Sequence, residues 1–511
     1  MKIKSPSSTS RRNALFAALP VRSILLLLSL AAQARADVRL PGLFSDNMVL
    51  QQEARVPVWG WANEGEEVKV TFRGHTVSAK AKNGKWMVKL AALKAGGPDT
   101  LVVQGKNRLE LHNVLVGEVW ICSGQSNMEL ALKQAFEGDK DIAASANPQL
   151  RLLHVPKTKA NEPLDDIKAA WKESGPESTP TFSAVAYYFG RDLQKAANVP
   201  VGLIETCWGG SPAEVWMSQA VLESNPEYKR DILEAYKSTI ARMEKQGTNN
   251  AKAPRVPWKP AELYNGMIAP LIPFAIKGAI WYQGESNAGR AQQYRSLFVD
   301  MIKNWRKDWG EGDFTFLEVQ LAPYDKVKKR SLEEITAAPG DSDWAELREA
   351  QLLATKVLPK VGMAVITDVG EKDDIHPKKK EPVGARLALA ARGIAYGEKI
   401  EYSGPIYKNL KVNGDQAILS FDHVDGGLEA RDGELTGFAL CGVDKKFVWG
   451  KAQIEGDKII VRSTEVQWPV AVRFGWSDFP VVNLWNKTGL PASPFRTDNF
   501  PMVTGPKEKR D

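Results

Sequence analysis

Four short polar stretches break the apolar runs of this 511-residue chain: Ser123-Gly124-Gln125-Ser126-Asn127, Gly209-Gly210-Ser211, Gln283-Gly284-Glu285 and Asp373-Asp374-Ile375-His376-Pro377. Together they offer one hydroxyl, backbone amides freed by glycines, an amide side chain and an Asp/His pair, which are the parts of an acyl-transfer site. A serine hydroxyl is a poor nucleophile until a neighbouring base takes its proton. The chain has five histidines to supply that base. His75 and His112 fall in an N-terminal β-rich stretch and His423 in a C-terminal one. His154 lies within the apolar run LRLLHV, which predicts packing rather than catalysis. His376 alone combines a post-strand loop with adjacent carboxylates, so it is the candidate base for Ser126.

The carboxylate of such a site holds the imidazole in the right tautomer and stabilises imidazolium. Asp374 and Asp373 are candidates from the same loop, and Glu285 is a third from another strand end. The oxyanion needs donors. Candidates are the Ser126 N–H, the Gly210 amide, where a missing side chain lets substrate approach the backbone, and the Gln283 side chain. Trp208, Trp281 and Tyr282 flank these loops and are candidate platforms for a sugar ring. Arg290 and Arg348 are candidate partners for a substrate carboxylate. Cys122, Cys207 and Cys441 have no metal-ligand spacing and read as buried small hydrophobes.

The elements that must position these residues follow from hydrophobic patterning. Residues 38–115 read as short strands separated by turn chemistry (NEGE, KNGK, AGGPD). From Gly117 strands alternate with helices. Strands are expected at 116–122, 201–208, 278–282 and 362–368, and helices at 182–197, 345–358 and 383–397. In the first helix Phe182, Val185, Tyr188, Phe189 and Leu193 share one face. Such alternation predicts a parallel sheet with helices on both faces, whose ligands bind at the carboxyl ends of the strands. Short strands return after residue 400. Residues 130–180 and 322–343 read as surface excursions. The expected division is 1–36, 37–115, 116–399 and 400–511.

Residues 1–36 have the three parts of an export signal: a basic region, the apolar run SILLLLSLAA and the small-x-small pattern Ala34-Arg35-Ala36. Ser10-Arg11-Arg12 fits a twin-arginine signal as well as ordinary secretion. The net charge of +7 is concentrated there; removing its six Lys and Arg leaves +1. That near-neutral body offers no electrostatic case for nucleic acid, and no other segment has membrane length. The expectation is a periplasmic or extracellular protein, free of the membrane once the signal is cleaved.

Gly124-Gln125-Ser126-Asn127-Met128 lacks the second glycine of a Gly-x-Ser-x-Gly elbow, which disfavours an ordinary α/β-hydrolase. GQSNM (124–128), WGGSPAEVW (208–216), WYQGESN (281–287), DIHP (374–377) and the opening LPGLFSDNMVLQQ resemble the sialate O-acetylesterase family of the SGNH (GDSL-like) hydrolases. The resemblance runs over nearly the whole mature chain. It implies a flavodoxin-like three-layer α/β/α domain with accessory, sandwich-like β-rich N- and C-terminal parts. It also implies an esterase without metal or cofactor that removes acetyl groups from sugars. Ser126 then becomes the nucleophile and His376 the general base. Asp374 falls on the aspartate of the family's pattern, while SGNH enzymes in general place the acid where Asp373 stands, so both stay open. The implied oxyanion positions are Ser126, Gly210 and Gln283, with Gly209 as the nearest substitute. The implied substrate is an O-acetylated sialic acid. An acetylated xylan or other plant polysaccharide is the alternative, and a non-catalytic secreted carbohydrate-binding protein is the rival of another class.

Overall fold

The structure is a computed structural model and describes residues 37–246 and 257–506; the expected export signal lies outside the described residues. Six parallel strands form the central sheet. They are β1 (Arg108–Gly124), β2 (Asn147–His154), β3 (Val201–Cys207), β4 (Gly278–Tyr282), β5 (Thr315–Val319) and β6 (Val361–Ala364). Their order is β2-β3-β1-β4-β5-β6. β3, β4 and β5 are buried along their whole lengths, as expected of parallel strands covered on both faces. The strand order reverses at β1, whose neighbours are β3 and β4. The carboxyl end of β1 is therefore the switch point where a crevice opens.

Five helices matter for the site: α1 (Ser126–Glu129), α2 (Ala184–Ala197), α3 (Ala291–Trp309), α4 (Asp343–Val357) and α5 (Glu381–Ile394). Alternation along the strands sends Trp120, Cys122, Leu203, Ile280 and Leu317 into one core with α2 and α5. It sends Val119, Ile121, Ile204, Trp281 and Phe316 into another with α3 and α4. The result is a three-layer α/β/α domain, as expected. Ser183 and Ser342 start α2 and α4 by accepting hydrogen bonds from Ala186 N (3.1 Å) and Ala345 N (3.0 Å), the capping that serine does well. At Gly384 a β-carbon would lie 2.7 Å from Phe189 N and 2.9 Å from Val185 O, so α5 reaches α2 backbone to backbone.

The patterning did not mark β2 or β5 as strands. β2 carries Pro148, Gln149 and Arg151 within a stretch read as surface excursion. In β5, Glu318 interrupts an otherwise apolar run. β1 is continuous through residues 115 and 116. Its first half pairs antiparallel with Gly96–Gln104 in the N-terminal β region, and its second half is the centre of the parallel sheet. In the C-terminal region, two four-stranded sheets enclose a core that includes Leu419, Phe438, Val461, Phe474 and Phe495. Among the described residues no helix is long and apolar enough to cross a membrane.

Glu318 sits in the sheet beside Trp281, wholly buried, and neither carboxylate oxygen has a hydrogen-bond partner among the described residues. Burial pushes its pKa well above the ordinary carboxylate value. A folded-state pKa above the unfolded one means that its contribution to stability is whole below the unfolded pKa and is lost as pH rises toward the folded pKa. Glu318→Gln removes that ionisation. Between pH 4.5 and 8 the wild-type Tm should fall relative to that of Glu318→Gln by about 2 °C or more, measured by calorimetry. Identical pH dependences of the two Tm values would show that Glu318 carries no such penalty.

Candidate active site

Gly124 ends β1 at φ +144°, where a side chain would strike the Tyr282 carbonyl. Only glycine suits this turn. The next residue's N–H donates to that same carbonyl at 3.0 Å, and Gln125 Oε1 accepts from Gly284 N and Ser286 N at 3.3 Å. The loops after β1 and β4 are thus laced together. α1 then begins at Ser126, placing its N–H among the donors that a helix start leaves without an intrahelical partner.

Across the crevice, the loop after β6 brings His376 Nε2 to 2.9 Å from Ser126 Oγ, between residues 250 apart in sequence. An imidazole at this distance can take the hydroxyl proton. His376 is half-buried. Desolvation lowers its pKa from 6.5, with Asp374 pulling upward and Lys380 adding to the depression. The ring is therefore neutral, and able to act as a base, at neutral pH.

Of the three candidate acids, only Asp374 is beside the imidazole. Its Oδ1 accepts His376 N at 2.9 Å and lies 3.8 Å from Nδ1. Asp373 points away, accepting from Lys329 N at 2.7 Å and from Lys372 Nζ at 2.7 Å. The carboxyl of the partly buried Glu285 lies on the other side of Asn127, whose Nδ2 donates to it at 2.6 Å. Neither Asp373 nor Glu285 contacts the imidazole, which corrects the expectation for both.

Among the oxyanion candidates, Gly210 is exposed at φ +75° with open space where a side chain would be, and its N–H meets no acceptor among the described residues. Gly209 packs on Ser126: a β-carbon there would lie 3.2 Å from Ser126 Cβ, and its N–H is already held by Glu129 Oε2. The expectation for Gln283 is overturned. It is wholly buried, donating to Asn287 Oδ1 (2.7 Å) and Ser211 O (3.3 Å) and accepting from Tyr294 OH (3.0 Å). Its amide props up the glycine loop from behind.

Trp281 and Tyr282 are also wholly buried, so neither ring face is open to a sugar, and the stacking expected of them is corrected. Trp208 is partly exposed and meets Trp258 edge to face at 5.4 Å. Lys157 and Lys159 lie over Trp208 at 5.5 and 5.7 Å. Arg348 is buried and spends its guanidinium on the carbonyls of Leu321, Ala322, Ser477 and Asp478. Arg290 is paired with Glu214. Arg348 is therefore closed to a ligand, whereas Arg290 keeps 39% of its side chain exposed. His154 is exposed rather than packed and pairs with Glu205 at 3.1 Å. The sequence singles out none of Asn127, Lys380, Glu129 and Lys157, although Asn127 stands in GQSNM and Lys380 ends the run Lys378-Lys379-Lys380 beside the His376 loop. Lys380 is in fact buried and hydrogen-bonds Asn127 Oδ1 at 2.6 Å.

A family model described as a carbohydrate esterase, sialic acid-specific acetylesterase, matches residues 116–392. Curated sialate O-acetylesterases from Homo sapiens and Pongo abelii are each 30% identical, over 93% of this chain and 96% of their own. The crystal structure of a carbohydrate acetylesterase from Xanthomonas citri is 41% identical, with a TM-score of 0.80 over 91% of this chain and 100% of that one.

The His376 imidazole, identified by NMR as the ring signal absent from His376→Ala, should titrate below 6.5. Asp374→Asn should lower that midpoint further, because it removes the nearby negative charge, whereas Asp373→Asn should leave it in place. A midpoint at or above 6.5 would contradict the desolvation argument.

Proposed function

The chain belongs to the carbohydrate esterase family described as sialic acid-specific acetylesterases and is an esterase of O-acetyl groups; from that premise we propose the residues and steps by which it works. Ser126 Oγ gives its proton to His376 Nε2 and attacks the acetyl carbonyl. The oxyanion of the tetrahedral intermediate rests on the N–H groups of Ser126 and Gly210. The intermediate collapses, His376 hands the proton to the departing sugar oxygen, and an acetyl-Ser126 remains. Water, deprotonated by His376, adds to that ester; the proton returns to Ser126 Oγ and acetate leaves. Asp374 fixes the loop and stabilises the imidazolium. The observation that carries this reading is the 2.9 Å contact between Ser126 and His376.

For the substrate, we propose an O-acetylated sialic acid whose ring lies against Trp208 and whose carboxylate meets Lys159. The support is that Trp208 directly precedes the Gly209-Gly210 loop and that Lys159 lies over both Trp208 and Trp258. Acetylated plant polysaccharide is the second reading. It is favoured by the pairing of Lys157 with Glu129 and of Lys159 with Glu262, which leaves the mouth of the site close to neutral. Export to the periplasm or beyond is proposed from the make-up of residues 1–36; Asp37 as the first residue of the exported protein, read by N-terminal sequencing, is the expected result.

Ser126→Ala should lower kcat on p-nitrophenyl acetate by about 10⁴-fold or more, and a fluorophosphonate should label wild type but not this variant. Wild-type turnover by Ser126→Ala would refute the nucleophile. Asp374→Asn should lower kcat by at least about 10-fold, and Asp373→Asn should leave it nearly unchanged. Lys159→Ala should reduce kcat/KM on O-acetylsialic acid about 10-fold while sparing p-nitrophenyl acetate. Equal losses on O-acetylsialic acid and acetyl-xylan would remove the case for an anionic substrate.

A further inference from the structure

Directly behind the reacting pair lies a buried polar cluster that the steps above do not use. Asn127, the residue after Ser126, is wholly buried. Its Oδ1 accepts from Lys380 Nζ at 2.6 Å, and its Nδ2 donates to Glu285 Oε1 at 2.6 Å and to the Ile375 carbonyl at 2.9 Å. Ile375 is the residue before His376. One amide therefore ties the backbone beside the nucleophile to the backbone beside the base, and two groups of opposite charge hold that amide from its two ends.

The partners decide which way the amide faces. An ammonium only donates, and a carboxylate or a carbonyl only accepts. Only one orientation of Asn127 satisfies all three, and turning it over would break every bond. Backbone bonds from Asp325 N to the Lys372 carbonyl and from Phe136 N to the Lys378 carbonyl, both 2.9 Å, hold the two ends of the His376 loop, while the side-chain bonds from Lys378 N to Glu371, from Lys329 N to Asp373 and from His376 N to Asp374 are exposed and compete with water.

We propose, resting on the Ser126–His376 reading, that Lys380 and Glu285 are positioning residues: by locking the Asn127 amide they fix the Ile375 carbonyl, and with it the distance from His376 Nε2 to Ser126 Oγ. The surroundings fit a small, dry lock. Lys380 faces the Tyr282 ring at 5.2 Å, and its pKa is pushed down to about 7 by burial. Glu285 is pushed up by the same cause, and its second oxygen has no partner among the described residues. Lys380 precedes α5 and makes no side-chain capping bond, so trimming its ammonium removes no helix cap.

The test uses the full chain, p-nitrophenyl acetate and three variants. Lys380→Met keeps the apolar stem and loses the donor. It should lower kcat about 100-fold, with KM within about twofold of wild type. It should also lower Tm, because Glu285 is left without the nearby cation. Glu285→Gln/Lys380→Met removes both charges, so Tm should return toward wild type while kcat stays low. That split separates positioning from fold maintenance, and the double variant decides the matter even where the single one folds poorly. Wild-type kcat in folded Lys380→Met, or kcat recovering in step with Tm in the double variant, would overturn the proposal. Ser126→Ala, run alongside, keeps the two readings apart. Its inactivity together with a fully active Lys380→Met would sink only the lock, whereas its retained activity would sink the Ser126 reading itself.

Discussion

The site depends on one constraint: Ser126 and His376, 250 residues apart, are held 2.9 Å from each other. Neither loop reaches the other by local structure. A parallel sheet achieves it because all its strands deliver their following loops to the same edge. β1 sits between β3 and β4, so Ser126 emerges at the centre, with the glycine loop on one side and the Gln283–Glu285 loop on the other. β1 also pairs with the N-terminal β region through its first half. The strand that leads into Ser126 is therefore anchored over 17 residues, well beyond the length typical of a strand.

Polar residues buried at these strand ends do structural work that their chemistry disguises in the sequence. Gln283 has the groups to stabilise an oxyanion, yet each of its polar atoms is already engaged with Asn287, Ser211 or Tyr294. Gln125 similarly spends its carbonyl on the backbone of Gly284 and Ser286. Buried polar groups must find partners, and these find them in the loops that need fixing. Among the described residues the Gly210 N–H meets no acceptor and the Ser126 N–H opens α1 without an intrahelical partner, which is why the proposed oxyanion donors are main-chain ones.

The legibility of the sequence followed from which signals were local. The Ser126 and His376 loops were readable because a strand ending in glycine and hydroxyl, and a loop pairing histidine with aspartate, are patterns within a few residues. The helices at 184–197, 343–357 and 381–394 were readable from apolar spacing. β2 and β5 were not, because Arg151 and Glu318 are polar residues buried by tertiary context, which no spacing rule reveals. The same limit explains Trp281 and Tyr282. Aromatic residues at a strand end look alike whether the end faces solvent or a neighbouring helix, and here α3 covers one ring while Lys380 faces the other. Lys380 is the sharpest case, since two of the three lysines in its run are exposed and the third is a buried donor.

The weak hold of Asp374 on the imidazole fits the bond to be broken. At 3.8 Å from Nδ1 it is beyond hydrogen-bond reach, and at half exposure its field is screened by water. An imidazole supported this lightly and partly desolvated is a poorer base but, once protonated, a stronger acid. In the proposed mechanism, expelling a sugar alkoxide demands that acid, since the leaving oxygen must gain a proton as the carbon–oxygen bond parts. An ester carbonyl, more electrophilic than an amide, asks less of the base that deprotonates the attacking hydroxyl. The same balance moves responsibility for geometry from the aspartate to the scaffold. With no tight carboxylate to orient the ring, the backbone on either side of His376 has to do so, and the Ile375 carbonyl is where the buried structure takes hold of it.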